Sequence, residues 1–550
     1  NLPSTSVWRI EEAADGSIWM GFIRGGFGRF DPLTERCTLF PPIEGLDEQF
    51  PNGFFQDSHG RLWMPQYTSG LVCQDIHSGE RQVYQHITCD LKSLPNDAIG
   101  CILPTKSGRW WVGHGKGLSF FYPYRDFFQT VIVAEDTASP TPLTPNGISV
   151  KMGDISYIAT SEGLLKWNEA TDEMKNVFDP KIIRQQNSDR YAANMLIDSR
   201  RRLWLGTSSG GPVYWSLADG STRAFSAVMG RITNIVEDKG GNIWFSVDGN
   251  GLWLWENGQD TLQSFTPKAI TKGRQVIRFI AMKLAPDGEG LWLGGVERGL
   301  LYFDIKSRSF TRQFQPNKGA GSSIVIDLSL EKNGSLWLAT NKGLFHFNPK
   351  SEIFTSYFTQ NGLRTNNLRS VKVDDSGNIW MGTEKGISYF NPKTKLFRNF
   401  STNDGVLDGS YFQRGIRLQD GKLYFLSSTG LTIFMPEDLP ALPPAPPVSL
   451  TGFNVLNEPH SLKSSPERTR DIYIKHDDYA FTFYYAALTA HAPKDVRYSY
   501  QMVGLNDAWN DVGTNNFVSF TALPPGNYTF RVQAIPVTGQ QAGEPMEVKL

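Results

Sequence analysis

Residues 367–400 read NLRSVKVDDSGNIWMGTEKGISYFNPKTKLFRNF. Around Val371 and Val373 apolar and polar residues alternate, the period of a half-buried strand. Asp375-Ser376-Gly377-Asn378 supplies the residues of a tight hairpin, and Ile379-Trp380-Met381 a second strand. Gly386-Ile387 opens a third strand ending at Phe390-Asn391-Pro392, and Lys393-Thr394 turns the chain into a fourth that ends near Phe400. Four short antiparallel strands in about 45 residues make one blade of a β-propeller.

The same stretch recurs along the chain. An aromatic anchor stands at Trp19, Trp63, Trp111, Tyr157, Trp204, Trp244, Trp292, Trp337, Trp380 and Tyr424. A glycine follows each by six or seven residues: Gly26, Gly70, Gly117, Gly163, Gly211, Gly251, Gly299, Gly343, Gly386 and Gly430. A second aromatic comes four residues later, at Phe30, Phe121, Trp167, Trp215, Trp255, Phe303, Phe347, Phe390 and Phe434; only Gln74 breaks the rule. Large flat side chains at one depth fill the wedge between blades, each burial contributing roughly 1.5–3 kcal/mol. Both stripes are therefore read as core, not as ligand platforms.

Ten repeats do not suit one ordinary ring. Three precede the Pro-rich stretch Thr137–Pro145 and seven follow it. The fold expected is all-β: a seven-bladed propeller over 146–438, preceded at 1–136 by the last three blades of a second, incomplete propeller. Residues 137–145 are the connection. A stiff spacer, 439–447, leads to strand-like runs over 448–550 that suit an immunoglobulin-like sandwich. A single ten-bladed ring is the alternative.

Composition narrows function. Over 550 residues the formal net charge is −1 with 20% charged residues, which argues against nucleic acid as a partner. No apolar run reaches membrane-spanning length. Asn1 is not a start residue and no leader follows it, so the chain reads as a fragment or a processed product. Cys37, Cys73, Cys89 and Cys101 form no CxxC pair, which weighs against zinc; free thiols and disulfides both remain open. There is no GxSxG, HExxH, P-loop or spaced carboxylate pair, so no catalytic residue, metal or cofactor is assigned. Of the eight histidines only His346 lies in the complete propeller, on a third strand.

A propeller gathers one loop per blade at each end of its channel. The segments entering the inner strands of the complete ring offer Arg190, Tyr191 and Asn194; Arg231 and Asn234; Arg274 and Arg278; Asp327; Asn366, Asn367 and Arg369; and Tyr411, Gln413 and Arg414. Amide, guanidinium and phenol groups of this kind suit the hydroxyls of an oligosaccharide or another small polar ligand. A solvated rim is the bland reading of each residue taken singly. An enzyme, a propeller lyase for example, and a protein-interaction scaffold are the rival functions.

GNIWMGTEKGISYFNP (377–392), GSLWLATNKGLFHFNP (334–349) and GSIWMGF (16–22) resemble the two-component regulator propeller repeat. NDGVLDGSYFQRGIRLQDGKLYFLSSTGLTIFMPEDL (403–439) resembles the closing blade of that family's second propeller. DYAFTFYYAAL (478–488), VRYSYQMVGLNDAWNDVG (496–513) and LPPGNYTFRVQA (523–534) resemble its triple-tyrosine (Y_Y_Y) companion domain. The resemblance implies the periplasmic sensor region of an inner-membrane receptor of bacteria. A homodimer through the sandwich domain would pass the signal to a transmembrane helix beyond Leu550 and to a kinase or diguanylate cyclase output. Tyr157 in place of Trp, and the lack of an Asp-x-x-Gly turn before it, depart from the pattern.

Overall fold

The hairpin at 374–378 explains how a blade begins. Asp374 Oδ1 accepts hydrogen bonds from the backbone N–H of Ser376 and Asn378, at 3.0 and 2.8 Å, and so closes the turn. Its other oxygen accepts from the buried indole of Trp380 at 2.8 Å. One carboxylate thus fixes the turn and satisfies the anchor's single polar atom. The bond recurs from Trp63 to Asp57, Trp204 to Asp198 and Trp244 to Asp238 at 2.8–2.9 Å. Trp337 makes it to Glu331 at 2.5 Å.

Each anchor reaches across to the following blade. Trp337 lies among Ile379 and Phe390, and Trp63 packs on Trp110 and Phe121. In the third blade the buried indole is accordingly Trp110, which holds the place of Ile379, while Trp111 is half-buried. The repeat glycine marks where the fourth strand ends against the third. A Cβ on Gly386, at φ 118°, would collide with the carbonyl oxygen of Phe400.

The computed structural model describes residues 6–13, 15–23, 26–41, 51–57, 60–76, 78–87, 93–105, 110–121, 127–133, 145–160, 163–177, 192–208, 211–225, 230–265, 278–296, 299–316, 324–407, 409–439, 445–475, 477–488, 496–535 and 543–550. They fall into two compact units, Asn1–Asp126 and Phe127–Leu550. The first holds three sheets in sequence, of four, four and three strands. In it Cys37, Cys73 and Cys101 are free thiols; Cys89 lies outside the described residues. Among the described residues no helix is long and apolar enough to cross a membrane.

The second unit contains seven four-stranded blades, and its ring closes in a way the repeat arithmetic does not show. Six blades run in simple order from Pro145–Met152 to Leu396–Phe400. The seventh takes three strands from 411–434, and its fourth is Gln129–Ile132, from before the whole ring. Gln129 pairs with Ile433 and Ile132 with Gly430, antiparallel. The Gly430 Cβ position faces the carbonyl of Val131, just as that of Gly386 faces Phe400. Phe128 packs on Phe400 and Phe434, at 5.3 and 4.9 Å between ring centroids.

The boundary expected at 136 is therefore corrected: the propeller's unit begins at Phe127, and Pro145 already belongs to a strand. The rest of the Pro-rich stretch lies outside the described residues. Burying Val131 and Val133 against blade 1 is what draws this strand onto the ring.

After the ring, two four-stranded sheets face each other. One pairs Val448–Val455 with Ala480–Ala487 and Phe517–Thr521; the other is built on Arg497–Val503 and Thr529–Ile535. Their core is aromatic, with Phe483 and Phe530 stacked at 4.0 Å. This is the sandwich that the strand spacing predicts.

Candidate ligand-binding site

Inner strands carry a β-bulge at one position in blades 2 to 6, such as Ala192/Asn194, Ile232/Asn234 and Val325/Asp327. A bulge re-aims the next side chain, and here it aims it at the following blade. Asn194 Nδ2 donates to Thr233 O at 2.6 Å, and Asn234 Nδ2 to Ile280 O at 2.8 Å. Asp327 accepts from Val371 N at 3.0 Å. All three are buried. Tyr411 is buried too, its hydroxyl 3.3 Å from Leu407 O and 3.2 Å from Thr432 Oγ1. These four are corrected from ligand groups to ties between or within blades.

The exposed candidates lie at one end of the ring, with the turns between second and third strands. Arg231 is exposed. Arg278 forms a two-pronged pair with Asp248, at 2.7 and 3.0 Å. Asn367 donates to Glu384 at 3.3 Å, and Arg369 stands 4.0 Å from the same carboxylate. Asn366 accepts from Thr359 N at 2.9 Å. Among the described residues Arg278, Asn367 and Arg369 form local pairs with acidic neighbours. Arg190, Tyr191 and Arg274 lie outside the described residues, as do the side chains of Gln413 and Arg414. His346 sits against the Trp337 ring, 3.5 Å from Glu331, away from either mouth.

An open cleft of about 850 Å³ lies in the first unit. Trp8, on the inner strand Val7–Glu12, and Tyr67, on the turn after Arg61–Pro65, stand in it 49% and 59% exposed. The chain entering the third inner strand adds Asn96 and Asp97, and His86 and His114 complete the polar lining. Asp97 Oδ1 accepts from His86 N at 2.6 Å, and Asn96 Oδ1 from Ala98 N at 2.9 Å. Asn52 is anchored to Ile99 O at 2.7 Å and accepts from Trp8 Nε1 at 3.4 Å. Two exposed aromatic side chains thus line the cleft together with amide, imidazole and carboxylate groups. Among the described residues no three His, Cys, Asp or Glu side chains gather as metal ligands. The strand-entry rule, applied to the first three blades as well as the ring, leads to Trp8, Asn52, Asn96 and Asp97; Tyr67, His86 and His114 lie elsewhere in their blades.

The Y_Y_Y domain family model matches residues 490–544. The C-terminal sandwich carries a Y_Y_Y domain. The chain is 23% identical over 466 residues to Histidine kinase P4 of Formosa agariphila, covering 80% of this chain and 30% of that one. It therefore spans less than a third of the length of the curated relative it matches. The extracellular domain of BT3049 from B. thetaiotaomicron, described as a hybrid two-component system, shares the fold. Its TM-score is 0.75 at 21% identity, over 100% of this chain and 73% of that one. The extracellular domain of BT4673 from the same organism gives a TM-score of 0.47 at 18% identity, over 100% and 81%.

The Y_Y_Y domain meets the ring near blade 5, where Arg497 donates to Gln360 O at 3.5 Å and pairs with Asp511 at 2.6 Å. Within it Tyr485 is fully buried beside Tyr498, rings 5.1 Å apart, and burial pushes its phenol far up. The domain is joined to the ring by the spacer, where Leu488 N donates to Pro447 O at 2.8 Å.

Proposed function

We propose that this chain is the extracytoplasmic, ligand-binding part of a bacterial membrane receptor, located in the periplasm and carrying out no chemistry of its own. Its ligand is an oligosaccharide or a similarly polar small molecule. The observation that carries the ligand reading is the first-unit cleft. A sugar ring offers an apolar face and a rim of hydroxyls; exposed aromatic faces beside amide and carboxylate groups match both. Module order and the histidine kinase relative support the receptor half of the reading. In it, the Y_Y_Y domains of two copies pair, and binding shifts the pair toward an arrangement that drives a kinase or cyclase output.

Titrating the chain with neutral and carboxylated oligosaccharides by calorimetry tests the site. Trp8→Ala and Tyr67→Ala remove exposed side chains, so folding is kept while affinity falls about tenfold or more, the 1.4 kcal/mol that one such platform contributes. Unchanged affinity in both variants would remove the cleft from consideration.

A further inference from the structure

Each inner strand of the ring presents one residue directly opposite its anchor aromatic. In ring order these are Val150, Leu196, Val236, Lys283, Ser329, Lys372 and Arg417. One arc is apolar and the other carries three cations. Arg417 is matched by Glu169 at 3.4 Å. Lys283 and Lys372 have no such partner: among the described residues neither ammonium makes a hydrogen bond or an ion pair.

Blade 5 stands between the strands that bear the two lysines, so they can meet only across the central channel. Inner strands two blades apart, Val325–Leu330 and Tyr411–Gln419, approach each other, so that channel is narrow. Both lysines are half-buried. Burial first, and then the charge of Lys283, hold the Lys372 ammonium down to about 8, against the smaller opposing pull of the Asp327 and Asp375 carboxylates, neither of which is within ion-pair distance. The carboxylate of blade 5, Asp327, is turned to the backbone N–H of Leu328 and Val371. Two like charges, removed from bulk water and unpaired, destabilise the ring unless a counter-charge joins them.

We propose that an oxyanion, sulfate or a carboxylate, occupies the channel of the seven-bladed ring between Lys283 and Lys372. Two ammonium groups supply charge-assisted hydrogen bonds to its oxygens. Ser329, on the blade between them, accepts from Val373 N at 2.9 Å, which leaves its own proton to donate. The site is separate from the cleft of the first unit and does not depend on the saccharide reading.

Thermal unfolding and calorimetry of the full chain, with millimolar sulfate or glucuronate against chloride at equal ionic strength, test it. The wild type gives a saturable rise in Tm and a titratable heat with at least one probe. A response to sulfate alone assigns a free inorganic ion, and one to glucuronate alone an acidic sugar. Lys283→Met and Lys372→Met lose affinity by about tenfold or more. In chloride alone they melt higher than the wild type, because an uncompensated charge has gone. Sulfate's general exclusion effect is unsaturable and remains in all variants. No saturable response in the wild type, or an equal one in both variants, overturns the site; the wild-type heat decides the matter if a variant does not fold.

Discussion

Val131→Asp should open the ring. Val131 is 8% exposed on the closing strand and packs with Trp167 and Leu165 of blade 1. The variant loses about 1.5–3 kcal/mol of apolar burial and adds about 1–3 kcal/mol for a polar group with no partner. A total of about 3–5 kcal/mol is a large share of the 5–15 kcal/mol by which a domain is ordinarily stable. The consequence goes beyond stability, because the third strand Gly430–Phe434 then presents an unpaired edge. Such edges template aggregation. Urea unfolding followed by tryptophan fluorescence should show the loss, with Val131→Ile as a mild control. A change below about 1 kcal/mol, the size of an ordinary surface substitution, would mean that this strand does not close the ring.

Glu169→Ala should weaken the same closure from its polar side. Where blade 7 meets blade 1, the anchor is Tyr424 instead of a tryptophan, and its phenol binds a glutamate of the following blade. Glu169 accepts from Lys151 Nζ at 2.7 Å, Ser156 Oγ at 2.5 Å and Tyr424 Oη at 2.9 Å. Arg417 joins them at 3.4 Å and lies 3.9 Å above the Tyr424 ring. Removing this one carboxylate leaves Arg417 without an acidic partner and Lys151 with only the exposed Asp420, 3.8 Å away, at a cost of about 3 kcal/mol. Burial alone would raise the Glu169 carboxyl, but hydrogen bonds from Lys151, Ser156 and Tyr424 outweigh it and hold it below the usual glutamate range.

A carboxyl lowered by folding adds stability above its unfolded value of about 4.5, and that stability is lost as pH falls through the folded value. The stability difference between wild type and Glu169→Gln should therefore be level near neutrality and shrink below about pH 4.5. Lys151 is raised, so its part is present below about 10.5 and lost as pH rises through the folded value. A difference that does not change on acidification would contradict the seam.

How much of this is legible in the sequence depends on where each signal sits. The anchors and glycines repeat because every blade solves the same wedge, so Trp204, Trp244, Trp337 and Trp380 report blade number and register directly. Gln129–Ile132 carries no anchor and no repeat glycine, and its partner strand is some 300 residues away in sequence, as Gln129 opposite Ile433 makes plain. Only tertiary packing places it.

The strand-entry rule leads to partly or fully exposed positions for Arg278, Asn367 and Arg369, which keep company with Asp248 and Glu384. It misassigns Asn194, Asn234 and Asp327, because a bulge that leaves no trace in residue type turns them toward the next blade. Lys372 and Lys283 look like ordinary alternation along a half-buried strand. Only closure of the ring places both on inner strands around one channel.

The central claim is that the chain binds a small polar ligand and leaves it unaltered. Equilibrium dialysis of the chain against defined oligosaccharides, followed by mass spectrometry of what is recovered, measures both halves at once. The account predicts saturable uptake that Trp8→Ala and Tyr67→Ala diminish, with every molecule recovered at its original mass. Shortened or unsaturated products, or no uptake of any oligosaccharide or small acid offered, would contradict it.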